Sequence, residues 1–317
     1  MTKIATFFTL LATALVCLLP AAPALAQRDR VFVASYGSDS NPCTFGSPCK
    51  TFQNAVNVVA QGGEVTAIDS AGFGTITISH AVTITSPNGV EAGIAAPASG
   101  NSAITINAGP NDTVSLNGLT LDGDNVANTV GIRFNSGGSL EVQNSVIRSF
   151  GAHGILYEPD ASSQIFVSNT LVSGNVQYGI WINPLVSATV IGALDHVDME
   201  NNAYGGLLVE TNTATVNVTV ADSVSANGGT GIYADSYGST AVSVMVRNCT
   251  IANNGFYGLV SNATTGATAT VWVTRSTISG NAVGWNTVTA GVLTSFNDNN
   301  IIGNTAGNTA PPNTGYQ

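Results

Sequence analysis

Lysine is nearly absent from this chain, which carries only Lys3 and Lys50. Lys and Arg together number 8 against 18 Asp and Glu, a formal net charge of −10. That excludes the basic footprint of a nucleic-acid binder and the polybasic patch of a membrane-surface protein. A polyanionic glycan such as pectin or alginate would also meet net repulsion. Charged residues are 8% of the sequence, against about 25% in an average soluble protein. After the N-terminal segment no apolar run reaches about 18 residues, so no membrane insertion is expected of the mature chain. The 4 Cys and 3 His lack ligand spacing, so neither a metal nor another cofactor is expected.

What is there favours strands and turns. Hydrophobic residues make up 44%, and Gly alone numbers 35. Asn, Thr, Ser and Val are abundant, whereas Leu and Glu are scarce. Met1 to Ala26 has one Lys, an apolar run from Phe7 to Leu19, and Ala24-Leu25-Ala26 before Gln27. This is the layout of a secretory signal peptide, which places the mature chain in a secreted, periplasmic or cell-surface setting. In such a setting Cys43 and Cys49, which flank the turn-rich Thr-Phe-Gly-Ser-Pro loop, are expected to form a disulfide. Cys249 reads as a buried free thiol.

From Gly131 onward the chain repeats itself. A Gly followed by an apolar residue recurs at Gly131, Gly154, Gly179, Gly206, Gly231, Gly258 and Gly284, a period of about 25 residues. A second anchor keeps the same period at Asn144-Ser145, Asn169-Thr170, His196-Val197, Asp222-Ser223, Asn248-Cys249 and Arg275-Ser276. A third is an Asn four residues before the Gly, at Asn175, Asn202, Asn227 and Asn254. Within each repeat the period is two: Val216, Val218 and Val220 alternate with Asn217 and Thr219. A leucine-rich repeat would need a Leu framework, and a propeller blade needs roughly 40 residues. The pattern predicts a right-handed parallel β-helix with stacked coils about 4.8 Å apart. Residues 64–304 would make about nine to ten coils, with asparagines stacked at the turns. A helix over Thr51–Gln61, stopped by Gly62-Gly63, is expected to cap the N-terminal end. The expected organisation is a signal peptide over residues 1–26 and an N-terminal motif with the capping helix over 27–63. The β-helix then covers 64–304, and a disordered tail covers 305–317.

The repeat resembles the right-handed parallel β-helix proteins of the pectin-lyase-like superfamily. Phe32-Val33-Ala34-Ser35-Tyr36-Gly37-Ser38-Asp39-Ser40-Asn41-Pro42, Pro48-Cys49-Lys50-Thr51-Phe52 and Ala55-Val56 resemble the N-terminal motif of many secreted members. The resemblance implies the fold and leaves activity open. Pectate-lyase-like members use a calcium-binding carboxylate cluster with a Lys or Arg base. The coil region here has no Lys and only Arg133, Arg148, Arg247 and Arg275. Polygalacturonase-like motifs are incomplete: Asn212-Thr213-Ala214 lacks the Asp, and Gly151-Ala152-His153-Gly154 is only an approximation. Asp195-His196 lacks the proline of the epimerase-like motif.

Stacking brings residues of neighbouring coils together, and two sets stand out. One is Asp195, His196, Asp198 and Glu200 with Asp222; its carboxylates offer cation binding or proton transfer, or plain hydrogen bonding at a turn. The other follows the Gly anchor. If the residue after Gly points inward, Arg133, Leu156, Trp181, Leu208, Tyr233 and Val260 form an outward stripe. Beside it run Asn135, Glu158, Asn183, Glu210, Asp235 and Asn262. Sugars stack on aromatic faces while their hydroxyls bond carboxylates and amides. Trp181, Tyr233, Glu158, Glu210 and Asp235 are therefore the candidates for binding a polysaccharide or cell-surface glycan. The expectation is a non-catalytic glycan or surface-partner binder. The first alternative is a polysaccharide hydrolase or lyase with Glu210, Asp235 or Asp195 as catalytic carboxylates, since glycosidases use paired carboxyls. The second is a structural or adhesive protein whose apolar stripe pairs with a second copy as a homodimer.

Overall fold

Val216, Val218 and Val220 are buried in the strand Thr215–Ala221, while Asn217 and Thr219 between them are exposed. Each inward valine has an in-register parallel partner in the next coil, Val242, Val244 and Val246. The chain then turns at Asp222 (φ +50°), runs through Val224–Ala226, and turns again at Asn227 (φ +57°). It crosses to a second sheet as Thr230–Ser236 and returns to begin the next coil at Ala241. Repetition of this path builds a right-handed parallel β-solenoid. The computed structural model describes residues 28–96 and 98–313. The expected signal peptide over residues 1–26 and residues 314–317 lie outside the described residues.

The larger sheet has 19 strands and the smaller has 9. In chain order the smaller sheet is Ile76–Ile78, Ser102–Asn107, Val130–Ser136, Ile155–Tyr157, Tyr178–Ile182, Gly205–Thr211, Thr230–Ser236, Tyr257–Ala263 and Val283–Thr289. Each strand pairs only with that of the coil before and after, which sets about nine turns. Between the sheets runs one continuous core, with Ile132, Ile155, Ile180, Leu207, Ile232 and Leu259 as its inward column.

The turn anchors have physical causes. Asn144, Asn169, His196, Asp222, Asn248 and Arg275 all take positive φ, between 46° and 54°. Asn and Asp tolerate this left-handed conformation best. The Ser, Thr or Cys that follows is buried. Ser145, Thr170, Ser223, Cys249 and Ser276 each donate to the carbonyl two residues before.

The asparagine ladder is real but is not built of the four residues expected. Asn175 donates to Asn202 (2.8 Å), Asn254 to Asn281 (2.9 Å) and Asn281 to Asn304 (2.9 Å). Asn227 is absent from it. This coil is shorter by one residue at the turn, so Asn227 takes the left-handed position and Gly228 falls in the ladder slot, its N–H donating to Asn254 Oδ1. The glycine anchors face these amides. A Cβ on Gly231 would lie 2.5 Å from the Gly258 carbonyl oxygen and 3.1 Å from Asn254 Nδ2.

The N-terminal end differs from expectation. The helix spans Phe52–Val58, with Thr51 accepting from Asn54 N–H as its N-cap. It stops three residues early because Val59–Ala67 is a strand paired with Arg28–Val33 and with Val82–Thr85. Gly62-Gly63 therefore lies inside a strand, where the register shifts. Phe52 packs on Phe73 with ring centroids 4.9 Å apart. Asp39 accepts from the Lys50 and Thr51 N–H groups, both at 2.9 Å, and Cys43 is disulfide-bonded to Cys49. At the other end residues 305–313 fold back onto the last coil. Asn308 bonds back to Asn304, the Trp285 indole donates to the Thr309 carbonyl (2.7 Å), and Ser295 bridges to Asn313.

Candidate functional site

The outer face of the nine-stranded sheet carries the outward stripe in the register expected. Arg133 pairs with Leu156, Leu156 with Trp181, Trp181 with Leu208, Leu208 with Tyr233, and Tyr233 with Val260. The stripe is not evenly exposed. Leu156, Leu208 and Val260 are only 4–6% exposed, whereas Trp181 and Tyr233 are half-buried. Leu208 lies between the two large rings, and Leu156 packs against Val130, Ala152 and Trp181. The face thus offers two rings rather than a continuous apolar surface.

The acidic row divides into two ends. Glu158 is tied to Arg133 by an ion pair at 2.9 Å and is neutralised there. Glu210 and Asp235 are direct register partners on adjacent strands, followed by Asn262. Strands in such a ladder lie about 4.8 Å apart. Asp235 is 4% exposed. Its Oδ2 accepts from Tyr237 Oη (2.7 Å) and its Oδ1 from Asn262 Nδ2 (2.9 Å). Glu210 is the more open of the two. Burial first, and then the Asp235 charge, raise its pKa above the ordinary value. The Trp181 indole N–H, turned toward Glu210 without good hydrogen-bond geometry, offsets part of that rise. Among the described residues no Lys, Arg or His forms an ion pair with either carboxylate.

Four more aromatic side chains complete the cluster, and sequence reasoning missed their place in it. Tyr237 continues the alternation of Tyr233 and Asp235, a signal that was available. His153 and Tyr178 each precede a glycine anchor. Their rings stack 6.4 Å apart, His153 also lies 4.9 Å from the Trp181 ring, and Tyr178 meets Tyr204 edge-on at 6.1 Å. The hydroxyls of Tyr178, Tyr233 and Tyr237 are all pushed up by burial and by the carboxylates. His153 is 4% exposed and its Nδ1 has no hydrogen-bond partner. Burial, helped by Arg133, lowers its pKa to about 4, so it is neutral near pH 7.

The second set lies on the larger sheet and does not join this cluster. His196 Nδ1 is 3.1 Å from Asp195 Oδ2, and both side chains are more than half exposed. Asp222 accepts from Asn248 and pairs with Arg247 at 3.0 Å. The Asn248 contact, then Arg247, hold its carboxyl below the usual range. Asp195 is thus held by His196, and Asp222 by Asn248 and Arg247, and the described residues include no group of three or more His, Cys, Asp or Glu placed to hold a metal ion.

The chain is similar to pectate lyase Pel9A, with a TM-score of 0.50 and 16% identity over 86% of this chain and 70% of that one. It is also similar to XylC solved with xylose, with a TM-score of 0.52 and 7% identity over 81% of this chain and 69% of that one. The fold is that of the pectin-lyase-like β-helices. At these identities the likeness is one of fold. No protein-family model and no curated protein matches the sequence.

Proposed function

We propose that the outer face of the nine-stranded sheet binds a glycan without cleaving it. The observation that carries this reading is the pairing of two columns. Trp181 and Tyr233 stand two coils apart in one, and Glu210, Asp235 and Asn262 stand in register in the next. Rings for stacking and polar groups for hydroxyls are thereby set side by side on rigid strands. The state of Asp235 favours binding over hydrolysis. It is 4% exposed and each of its oxygens already accepts a hydrogen bond, which leaves little of the carboxylate open to a sugar carbon or a water. The mature chain is read as exported, which would put the face in contact with extracellular or periplasmic sugars. The N-terminal helix Phe52–Val58 is read as the cap that protects the first coil.

The raised pKa of Glu210 favours a second reading, a hydrolase in which Glu210 is the general acid. One experiment separates the two. The purified mature chain is titrated with neutral and acidic oligosaccharides by calorimetry, and the same mixtures are assayed for reducing ends and unsaturated products, with and without calcium. Saturable binding without product supports the binder. Product release abolished by Glu210→Gln establishes the hydrolase. A second copy of the chain is a weaker candidate for this face, because the aliphatic members of the stripe are already covered.

A further inference from the structure

We propose that the glycan recognised here carries free amines, and that Glu210 receives a sugar ammonium among the rings of Tyr178, Trp181 and Tyr233. This deepens the glycan reading and rests on it.

The charge of the face points to a cation. Glu210 and Asp235 are adjacent, and no basic side chain pairs with either among the described residues. Arg133, the basic residue of the outward stripe, is spent on Glu158 at the far end. A partly buried carboxylate beside a second one is unfavourable until a positive charge joins it. The effect spreads to the neighbours: both carboxylates raise Tyr178 and Tyr237, and Asp235 raises Tyr233. A neutral or N-acetylated sugar would leave that field uncompensated, and a uronic acid would worsen it.

The shape of the cluster agrees. Ring faces and a carboxylate together form the environment in which an ammonium is held, the rings attracting it by their quadrupoles. Tyr178 precedes Trp181 on one strand, Glu210 lies on the next and Tyr233 on the one after. Asp235, locked by Tyr237 and Asn262, acts through its charge and leaves Glu210 to make the contact. A separate observation also leaves the cluster incomplete. His153, 4% exposed and against the rings of Tyr178 and Trp181, has an unpartnered Nδ1. It is a neutral ring whose approach to the Tyr178 backbone falls short of good hydrogen-bond geometry, compatible with a cationic neighbour in a way that an imidazolium would not be.

The test compares oligomers of glucosamine and of N-acetylglucosamine of equal length, with a lysine-rich peptide as a third probe. Each is titrated into the full mature protein near pH 6.5 at physiological salt. The expected result is at least about tenfold tighter binding of the glucosamine oligomer, the scale of one desolvated cation–π and carboxylate contact. Glu210→Gln should erase the preference and leave the weaker, common affinity, while Trp181→Ala should weaken both sugars. Lowering the pH until Glu210 protonates should erase the preference in the unmodified protein, so the outcome does not depend on a variant folding. Asp235, Tyr178, Tyr233, Tyr237 and Trp181 are the groups that face Glu210 in that titration, and His153, against the Tyr178 and Trp181 rings, gains its own proton only near pH 4. Equal affinity for the two oligomers overturns the amine while leaving the glycan reading intact. Equal or tighter binding of the peptide overturns the sugar as occupant. Failure of every glycan, charged or neutral, overturns both readings.

Discussion

The Ser225 hydroxyl donates to the Gly231 carbonyl at 2.8 Å and fills the space that an asparagine amide fills in neighbouring coils. In register, Met199 precedes Ser225 and Ile251 follows it, so a large aliphatic side chain has given way to a small polar one. The exchange occurs in the coil whose ladder slot holds Gly228. A missing amide at the turn is thus offset by a hydroxyl from the strand before it.

The glycine anchors should be intolerant of a methyl group. Gly231→Ala would place its Cβ 2.5 Å from a backbone oxygen and 2.6 Å from Ile251 Cγ2, so backbone must move. A loss of about 2–3 kcal/mol in urea unfolding is expected. Gly72→Ala, with nothing within 4 Å and no positive φ, should be neutral or slightly stabilising. Equal costs at the two sites would show that the anchors recur at regular spacing for some other reason than close packing.

Breaking one rung should cost more than one hydrogen bond. Asn281 accepts from the Asn254 backbone and side chain and donates to the Ile251 carbonyl, all while 1% exposed. Asn281→Ala strands these groups in a dry interior. The expected loss is about 2–4 kcal/mol, measured as a shift in the denaturation midpoint.

Cys249 should behave as a serine of the hydroxyl column. Its thiol is 2% exposed and is pushed up to about 11 by burial. No labelling by a disulfide reagent is expected at pH 8 until denaturant is added. Cys249→Ser matches Ser223 and Ser276 above and below it, and should leave stability within about 1 kcal/mol of the parent.

Glu210 should trade stability against binding. Its folded pKa is raised above the ordinary 4.5, so the folded state holds the proton more tightly than the unfolded one. The stabilising effect of protonation is full below 4.5 and is lost as pH rises through the folded value. Glu210→Gln should therefore melt at a higher temperature than the parent at pH 7, with the gap closing at pH 4. A lower melting temperature at both pH values would mean that the carboxylate is compensated by a partner.

His153 should give the opposite slope. Its pKa falls from 6.5 to about 4 on folding, so the folded state prefers the neutral ring. The associated stability is complete above pH 6.5 and declines as pH falls toward about 4. His153→Phe retains an aromatic ring against Trp181 and Tyr178 and should flatten this part of a melting-temperature profile.

The fold was legible because the signal repeats. From Gly131 onward the Gly and Asn-Ser anchors set the phase of each coil, and alternation then placed Trp181, Tyr233, Glu210 and Asp235 on one face. Reading failed where the phase slips. One residue fewer at the Asn227 turn moved the ladder to Gly228, and a strand starting at Val59 overrode helical spacing that ran on to Gln61. The place of His153 and Tyr178 on this face was missed for a different reason. The anchor glycine and the residue after it both face the core, so the residue before the glycine faces out against simple alternation. The asymmetry between Glu210 and Asp235 was invisible in sequence, since it depends on which carboxylate Tyr237 and Asn262 happen to reach.

The fold-back of Asn308 onto Asn304 bears on how long such a molecule can be. A row of amides, each donating to the next, has no inherent last member, and an unpaired final rung invites another chain to continue it. Here the Asn304 amide donates to Asn308 Oδ1 at 3.1 Å while Asn308 Nδ2 donates to the Asn304 carbonyl at 2.7 Å. The donor and acceptor that would extend the row are used up within one molecule. Whole coils can therefore be gained or lost upstream, between rungs such as Asn281 and Asn304, while the same few residues still terminate the polymer.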